Sequence, residues 1–276
     1  MRVLHIQVSI PTPPQQNMES KMQRFDGKTA IVTGGGGGIG GATCRRLAAE
    51  GAKVAVFDMN LDAAEKVAAD IRASGGQAAA FACNITDRAQ VDAAVAAAQA
   101  QLGPIAVLVN NAGWDIFKPF TKTVPAEWDK LISINLTGAL HMLHAVLPGM
   151  VERKYGRIVN VASDAARGGS SGEAVYSACK GGLVALSKTL AREHARQSIT
   201  VNVVCPGPTD TALLAGVAEG ARDPAKLIEA FKSAIPLGRL GQGDDLASAI
   251  AFFGSDDAGF VTGQVLSVSG GLTMHG

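Results

Sequence analysis

The strongest constraint on this chain is the rhythm of its apolar residues. Seven segments of five or six mostly apolar residues recur at 28–33, 53–58, 77–82, 105–109, 156–161, 199–204 and 264–268. Helix-length segments separate them at 38–50, 61–74, 87–102, 125–150, 175–195 and 244–254, with a loop and short helices over 206–234. Strands that are apolar on both faces must be covered on both faces. Alternating with helices at this spacing, they predict one mostly parallel α/β sheet with helices on either side. The chain has 276 residues, 47% of them hydrophobic, enough to bury that core as one domain.

Charge and cysteine usage exclude several functions. Lys plus Arg number 25 against 24 Asp plus Glu, a net charge of +1 that gives no footing for a nucleic-acid partner or a polybasic membrane surface. No run of 18 apolar residues occurs, so no membrane span is expected. Cys44, Cys83, Cys179 and Cys205 lie far apart without a CxxC pair, which points to free thiols in a reducing, cytoplasmic setting. His141 and His144 share a helix face but sit in no HExxH motif, so no metal is expected. Residues 1–24 carry Pro11, Pro13 and Pro14 after a mildly apolar stretch without the shape of a signal peptide. They read as a flexible extension, or as an upstream start assignment with the native start at Met18 or Met22. The compact domain is expected over 25–276.

The first strand runs into Thr33-Gly34-Gly35-Gly36-Gly37-Gly38-Ile39-Gly40, which then opens a helix. Glycines at this place allow a tight turn and close approach of backbone to a pyrophosphate, and the helix start supplies free N–H groups. A flexible linker would also be glycine-rich, but would not stand between a strand and a helix. Gly34, Gly36, Gly37, Gly38, Ile39 and Gly40 are therefore candidate dinucleotide contacts. Asp58 closes the second strand, 18 residues after Gly40. A carboxylate there accepts from both adenosine ribose hydroxyls and repels a 2′-phosphate, and Met59-Asn60 offers no phosphate clamp; NAD is favoured over NADP. Asn84 and Ile85 follow the third strand, at the expected adenine edge. Asn111, Ala112 and Gly113 follow the fourth, where small residues permit close approach and Asn locks the turn.

Ser163, Tyr176 and Lys180 form the sharpest constellation. Tyr176 and Lys180 are four apart and share a helix face. Ser163 lies just past the fifth strand, at the carboxyl end of the sheet, where open α/β folds place ligands. An alcohol losing a hydride must also lose its hydroxyl proton, and a tyrosine beside an ammonium can take it. Ser163 would orient the substrate oxygen, and Lys180 would lower the Tyr176 pKa and bond the nicotinamide ribose. Asn135 sits mid-helix, where a polar amide needs a reason; it can hold a water that relays protons to Lys180. Taken singly, each is an ordinary packed or solvated residue. Their conjunction in a dinucleotide fold is what points to an enzyme rather than a catalytically silent NAD-binding scaffold.

TGGGGGIG (33–40), NNAG (110–113), Asn135, Ser163, YSACK (176–180) and CPGPTDT (205–211) together resemble the short-chain dehydrogenase/reductase family, over about residues 25–271. The resemblance implies a single doubly wound, Rossmann-like domain with seven strands, an NAD-dependent alcohol dehydrogenase activity and a homotetramer. It implies that Tyr176 is the acid/base, with Ser163, Lys180 and Asn135 supporting. It also places Pro206, Gly207, Thr209 and Thr211 on the cofactor, Thr209 at the carboxamide and Thr211 at the pyrophosphate. Asn84 stands where many members have Asp; its carbonyl is expected to bond the adenine amino group all the same. The stretches at 110–123, 162–176 and 203–215 resemble members acting on an acyl-CoA that carries a ring alcohol. Trp114, Ile116 and Phe117 would then wall a ring-sized apolar pocket. Ser163, Asp164 or Ser171 would orient the thioester, and Lys118, Lys122 and Arg167 would offer a basic rim for CoA. Another 3-hydroxyacyl thioester or a simple cyclic alcohol is the alternative substrate.

Overall fold

The computed structural model describes residues 23–219 and 223–274. Residues 1–22, and with them nearly all of the expected extension, lie outside the described residues. Arg24 already belongs to the body of the domain, because its guanidinium pairs with the buried Glu50 at 2.6 Å.

Seven strands form: β1 (Thr29–Thr33), β2 (Lys53–Asp58), β3 (Gln77–Ala82), β4 (Ile105–Asn110), β5 (Gly156–Val161), β6 (Ile199–Pro206) and β7 (Val265–Val268). All pair in parallel, in the order β3-β2-β1-β4-β5-β6-β7. Helices α1 (Gly38–Ala49), α2 (Leu61–Ala73), α3 (Arg88–Leu102), α4 (Pro125–Ile132), α5 (Gly138–Arg153), α6 (Ala165–Gly168), α7 (Ala174–His194), α8 (Ala212–Glu219), α9 (Pro224–Ala234) and α10 (Gly243–Gly254) connect or flank them. Local chemistry sets several boundaries. Asn60 caps α2 by accepting from Ala63 N–H, and Asp87 caps α3 by accepting from Ala89 and Gln90 N–H. Gly103 ends α3 at φ +96°, a conformation an L side chain resists.

Alternate residues along each strand sort to opposite faces. Ala30, Val32, Val54, Val56, Val107 and Val109 join the core under α1, α2 and α10. Ile31, Ala55, Phe57, Leu108 and Ile158 join the core against α3 and α5. Each fully buried Val, Leu or Ile contributes about 1.5–3 kcal/mol, which is why nearly every strand position is apolar. β1 lies between β2 and β4, so the chain reverses its direction of travel across the sheet there. That reversal opens a crevice above the carboxyl ends of β1 and β4, next to β5.

One expected element differs. The helix foreseen over 125–150 is interrupted by a π turn at Ser133–Thr137, so α4 and α5 are separate helices. The Asn135 amide donates to Leu131 O at 3.0 Å, four residues back, and to Trp114 O at 2.7 Å. A side chain that inserts into its own helix's carbonyl row widens the turn, and π turns of this kind gather at functional sites. The whole stretch Pro125–Arg153 is long and apolar enough to cross a membrane by length and composition. In this fold its apolar residues Met142, Leu143, Val146 and Met150 pack into the core.

Candidate active site

The glycine turn after β1 is shaped by what it cannot hold. Gly34 and Gly38 take φ of +63° and +52°. A Cβ on Gly40 would run into the Gly34 carbonyl, and one on Gly35 would stand 2.8 Å from Val56. The Cβ direction at Gly37 opens outward, and α1 starts there with no side-chain cap and no acidic residue in its first turn. Its first N–H groups thus face the crevice as a bare anion site. Asn111 ties this turn to the end of β4: its amide donates to Thr33 O at 2.9 Å and to Gly34 O at 3.2 Å. Thr33 Oγ1 in return accepts from the Asn111 and Ala112 N–H groups. Thr211 lies across the turn, 3.3 Å from the Cβ direction of Gly38, and its hydroxyl accepts from Leu214 N–H. Thr209 pairs with Gly241, and Gly207 packs so closely on Ser269 that a Cβ would stand 2.8 Å away.

Asp58 closes β2 beside this turn. Its carboxylate accepts from Gly36 N–H at 3.0 Å and from Asn60 N–H at 2.9 Å. Ionised, it keeps further acceptor positions for ribose hydroxyls. Met59 is largely exposed next to it. The bare helix start and this carboxylate fit a dinucleotide of the NAD(P) type. Asn84 is more occupied than expected, because its Oδ1 accepts from both Thr86 N–H and Thr86 Oγ1. The atom meant for an adenine amino group is therefore engaged in a local turn. Ile85 is a core residue: it presses on Gly138, and its carbonyl meets His141 Nδ1 at 2.9 Å. All four cysteines are free and buried, and burial pushes the Cys44 thiol up.

The reaction-end residues converge beyond β5. α7 carries Tyr176 and Lys180 one turn apart, 8% and 3% exposed. Lys180 Nζ donates to Val161 O at 3.0 Å and lies 5.6 Å from the centre of the Tyr176 ring. Ser163 Oγ accepts from Ala165 N–H at 3.2 Å just past β5, and Ser163 lies close enough to the Tyr176 phenol to lower its pKa. Asn135 Oδ1 accepts from Trp114 N–H at 3.2 Å. Gly113 separates it from Lys180: a Cβ there would stand 3.0 Å from Asn135 Oδ1 and 3.4 Å from Lys180 Nζ. The last glycine of NNAG is required because any side chain would fill the approach between amide and ammonium.

Two electrostatic expectations are corrected. The Tyr176 phenol is pushed up, not down: burial is the largest cause, then the charges of Asp115 and Glu173, against which Ser163 lowers it. Burial likewise brings the Lys180 ammonium down to about 8, so it is a weakened counter-charge. In this state Tyr176 is a proton donor. The basic rim is also reduced: Lys118 Nζ is held by Glu127 at 2.8 Å, and Arg167 donates to Ser267 Oγ at 3.0 Å. Trp114 packs with Ile116, Leu131 and Tyr176, and Lys130 Nζ sits 3.8 Å over its ring. Phe117 turns instead toward Gly172, 3.2 Å from that residue's Cβ direction.

Sequence reasoning passed over Asp115 and Glu173. Asp115 is 8% exposed, and its Oδ1 accepts from Ile116 N–H at 2.7 Å. Its carboxyl is pushed up to about 8, by burial first and by Glu173 second. A lone acid between Trp114 and Ile116 was the available signal. Glu173, 58 positions away, was not readable from spacing.

The chain is similar to known proteins over most of its length. A family profile described as "Enoyl-(Acyl carrier protein) reductase" matches residues 34–273. The chain is 40% identical over 246 residues to an acetoacetyl-CoA reductase of Shinella zoogloeoides, covering 88% of this chain and 98% of that one. It is 36% identical over 250 residues to the 3-oxoacyl-[acyl-carrier-protein] reductase FabG of Escherichia coli, covering 91% and 99%. Among solved structures, a levodione reductase superposes with a TM-score of 0.87 at 34% identity, covering 90% of this chain and 98% of that one.

Proposed function

The chain belongs to the short-chain dehydrogenase/reductase family, and on that premise we propose that it interconverts a 3-hydroxyacyl thioester and its 3-keto form with NAD(H). It is an NAD(P)-dependent oxidoreductase of the CH–OH type. The observation that carries the reading is the buried Tyr176 with Lys180 Nζ 5.6 Å from its ring and Asn135 facing Lys180 across Gly113, at the crevice end of the sheet. A silent dinucleotide scaffold has no use for a buried proton donor there.

An NAD(P) cofactor held by the Gly34–Gly40 turn and Asp58 would supply the hydride donor or acceptor. The chain's own residues handle the oxygen. In reduction, Tyr176 donates its phenolic proton to the carbonyl oxygen as that oxygen gains negative charge, and Ser163 donates a hydrogen bond to the same atom. In alcohol oxidation the roles reverse, and Tyr176 accepts the hydroxyl proton. Lys180 holds its ammonium 5.6 Å from the phenol ring, where it would bond the ribose of a bound nicotinamide. Asn135, facing Lys180 past Gly113, completes a route by which the tyrosine regains its proton. Asp58 favours NAD, because its carboxylate suits ribose hydroxyls and opposes a 2′-phosphate. The names of the reductases at 36–40% identity support a thioester substrate.

Within that class, the sharper reading is oxidation of 2-hydroxycyclohexane-1-carboxyl-CoA to 2-ketocyclohexane-1-carboxyl-CoA. The apolar wall of Trp114 and Ile116 against Tyr176 supports a ring. The test is a rate panel of 3-hydroxybutyryl-CoA, the ring hydroxyacyl-CoA and a simple cyclic alcohol with NAD, read by NADH absorbance. Absence of turnover with every thioester overturns the class; a straight-chain preference overturns only the ring.

A further inference from the structure

We propose that Asp164 and Ser267 are positioning residues for the reaction: together they hold the backbone turn that presents the Ser163 hydroxyl to the substrate oxygen. The inference rests on the reading of Ser163 as a donor to that oxygen, and adds the fastening that keeps it in place. Neither side chain touches the substrate oxygen; both act through Ser163.

Ser163 follows β5 at the crevice end of the sheet. Backbone bonds carry the sheet pairing past the end of β5: Ala162 N–H donates to Val204 O at 2.8 Å, and Asp164 N–H to Pro206 O at 3.0 Å. The chain then turns into the short helix α6, with Asp164 in helical conformation at φ −60° and ψ −26°. That ψ sets the plane of the next peptide, which aims Ala165 N–H at Ser163 Oγ, 3.2 Å away. A hydroxyl oxygen that accepts from a backbone N–H keeps its own proton for another acceptor. Ser163 is thereby set up as a donor, for as long as the peptide plane behind it holds.

The Asp164 side chain fixes this turn to the edge strand β7. Alternate β7 residues face the same way, and Val265 packs with Ala162, Val203 and Cys205. Ser267, two positions on, puts a hydroxyl on that apolar side. Its Oγ donates to Asp164 Oδ1 at 2.6 Å, across 103 positions of sequence, and accepts from Arg167 Nη1 at 3.0 Å. Arg167 Nη1 also donates to Val265 O at 3.3 Å, so both ends of α6 are tied to β7. The second carboxylate oxygen, Asp164 Oδ2, is buried with no hydrogen-bond partner among the described residues. Such an acid depends on the one side-chain bond it has, because a buried oxygen without a partner carries its full desolvation cost. Asp164 thus spends its carboxylate on β7 rather than on the thioester.

β7 suits this task because other walls of the site rest on it and on the turn that follows. Gly207 N–H donates to Val268 O at 3.1 Å, at the start of the loop that carries Thr209 and Thr211. Leu237 N–H donates to Gly270 O at 3.1 Å, just beyond α9. The serine turn also reaches β7 through the Asp164 and Ser267 side chains, so one substitution can loosen it without breaking backbone pairing. Misplacing a positioned group by about 1 Å can cost about 10²-fold in rate, so losing this fastening is expected to lower kcat by at least about tenfold.

The experiment measures kcat with 3-hydroxybutyryl-CoA and NAD, and NAD affinity by calorimetry. It compares the wild type with Ser267→Ala, Ser267→Thr, Asp164→Ala, Ser163→Ala and the Ser163→Ala/Ser267→Ala double variant. Ser267→Ala and Asp164→Ala should lower kcat at least about tenfold and leave the NAD Kd within about twofold. Ser267→Thr keeps the hydroxyl and should recover most of the loss. Once the Ser163 hydroxyl is gone, adding Ser267→Ala should cost less than about twofold more. An equal loss in both backgrounds means packing damage and overturns the proposal, as does a fall in NAD affinity that matches the fall in kcat. A second readout needs no turnover: amide hydrogen exchange at Ala165 should speed up in Ser267→Ala and Asp164→Ala, and stay slow in Ser267→Thr. Unchanged exchange in folded variants overturns the proposal. If the wild type does not turn over the thioester, or Ser163→Ala matches the wild type, the reading beneath falls, and the exchange rates still decide whether Asp164 and Ser267 hold the turn.

Discussion

Replacing Asp58 with alanine should shift the cofactor preference from NAD toward NADP, and the structure sets the size of the shift. The carboxylate already accepts from Gly36 and Asn60 N–H at 3.0 and 2.9 Å, one bond to each oxygen. A carboxylate has about four acceptor positions, so about two remain for the ribose hydroxyls. Hydrogen bonds to a charged group contribute about 1.5–3 kcal/mol each, less where water competes as it does at this crevice edge. Losing the pair should weaken NAD binding by about 10–100-fold. For NADP the same change removes a like-charge repulsion, so the NADP-to-NAD ratio of kcat/KM should rise about 10²–10³-fold. The two backbone N–H groups left behind can rehydrate, so the fold should lose only about 1–2 kcal/mol, a shift of a few degrees in Tm. Calorimetric titration with each cofactor measures the preference without needing a substrate, and thermal melts by circular dichroism measure the cost. Asp58→Asn keeps one acceptor oxygen and should fall between. A preference that moves less than about threefold in a folded variant refutes the ribose assignment.

Tyr176→Phe removes the proton donor and should cut kcat by about 10³-fold, while leaving calorimetric NAD binding within a few-fold; turnover near wild type would remove Tyr176 from the chemistry. Gly113→Ala has no positive φ to oppose it, but its methyl would crowd Asn135 Oδ1 and Lys180 Nζ. Its Tm should stay near wild type while kcat falls by about tenfold or more, and equal losses in both would mean only a packing defect. Asp115 titrates near 8 in the fold against 3.8 for a free carboxyl. Across that window the folded chain holds a proton the unfolded chain has released, so this group makes stability fall as pH rises. Urea melts of Asp115→Asn should show a flatter decline from pH 5 to pH 8 than the wild type, and parallel curves would refute the burial account. Phe260 is fully exposed and Phe252 and Leu266 are partly so; a homotetramer is expected to cover such residues, and sedimentation at micromolar concentration that shows only monomer would exclude it.

Much of the candidate site was legible because its signals are local. The glycine turn announced itself by lying between a strand and a helix, and Gly34, Gly38 and Gly40 take the forms only glycine supports. Tyr176 and Lys180 share a face through helical spacing alone. Asn135 was conspicuous as an amide in a helix, yet its π turn depends on Trp114, which the sequence places 21 positions away. Asn84 was given the adenine through its carbonyl, but Thr86 already occupies that oxygen. The basic rim read from Lys118, Lys122 and Arg167 is reduced at Lys118, whose ammonium pairs with Glu127.

Periodicity, turn chemistry and helix spacing act over a few residues, so the residue string alone determined the strand and helix order, the parallel sheet and the position of the Ser163, Tyr176 and Lys180 set. Charge state belongs to the folded body. Only packing decided that the Tyr176 phenol and the Asp115 carboxyl are pushed up and that the Lys180 ammonium is brought down, because desolvation and through-space fields depend on which distant segments close over a group.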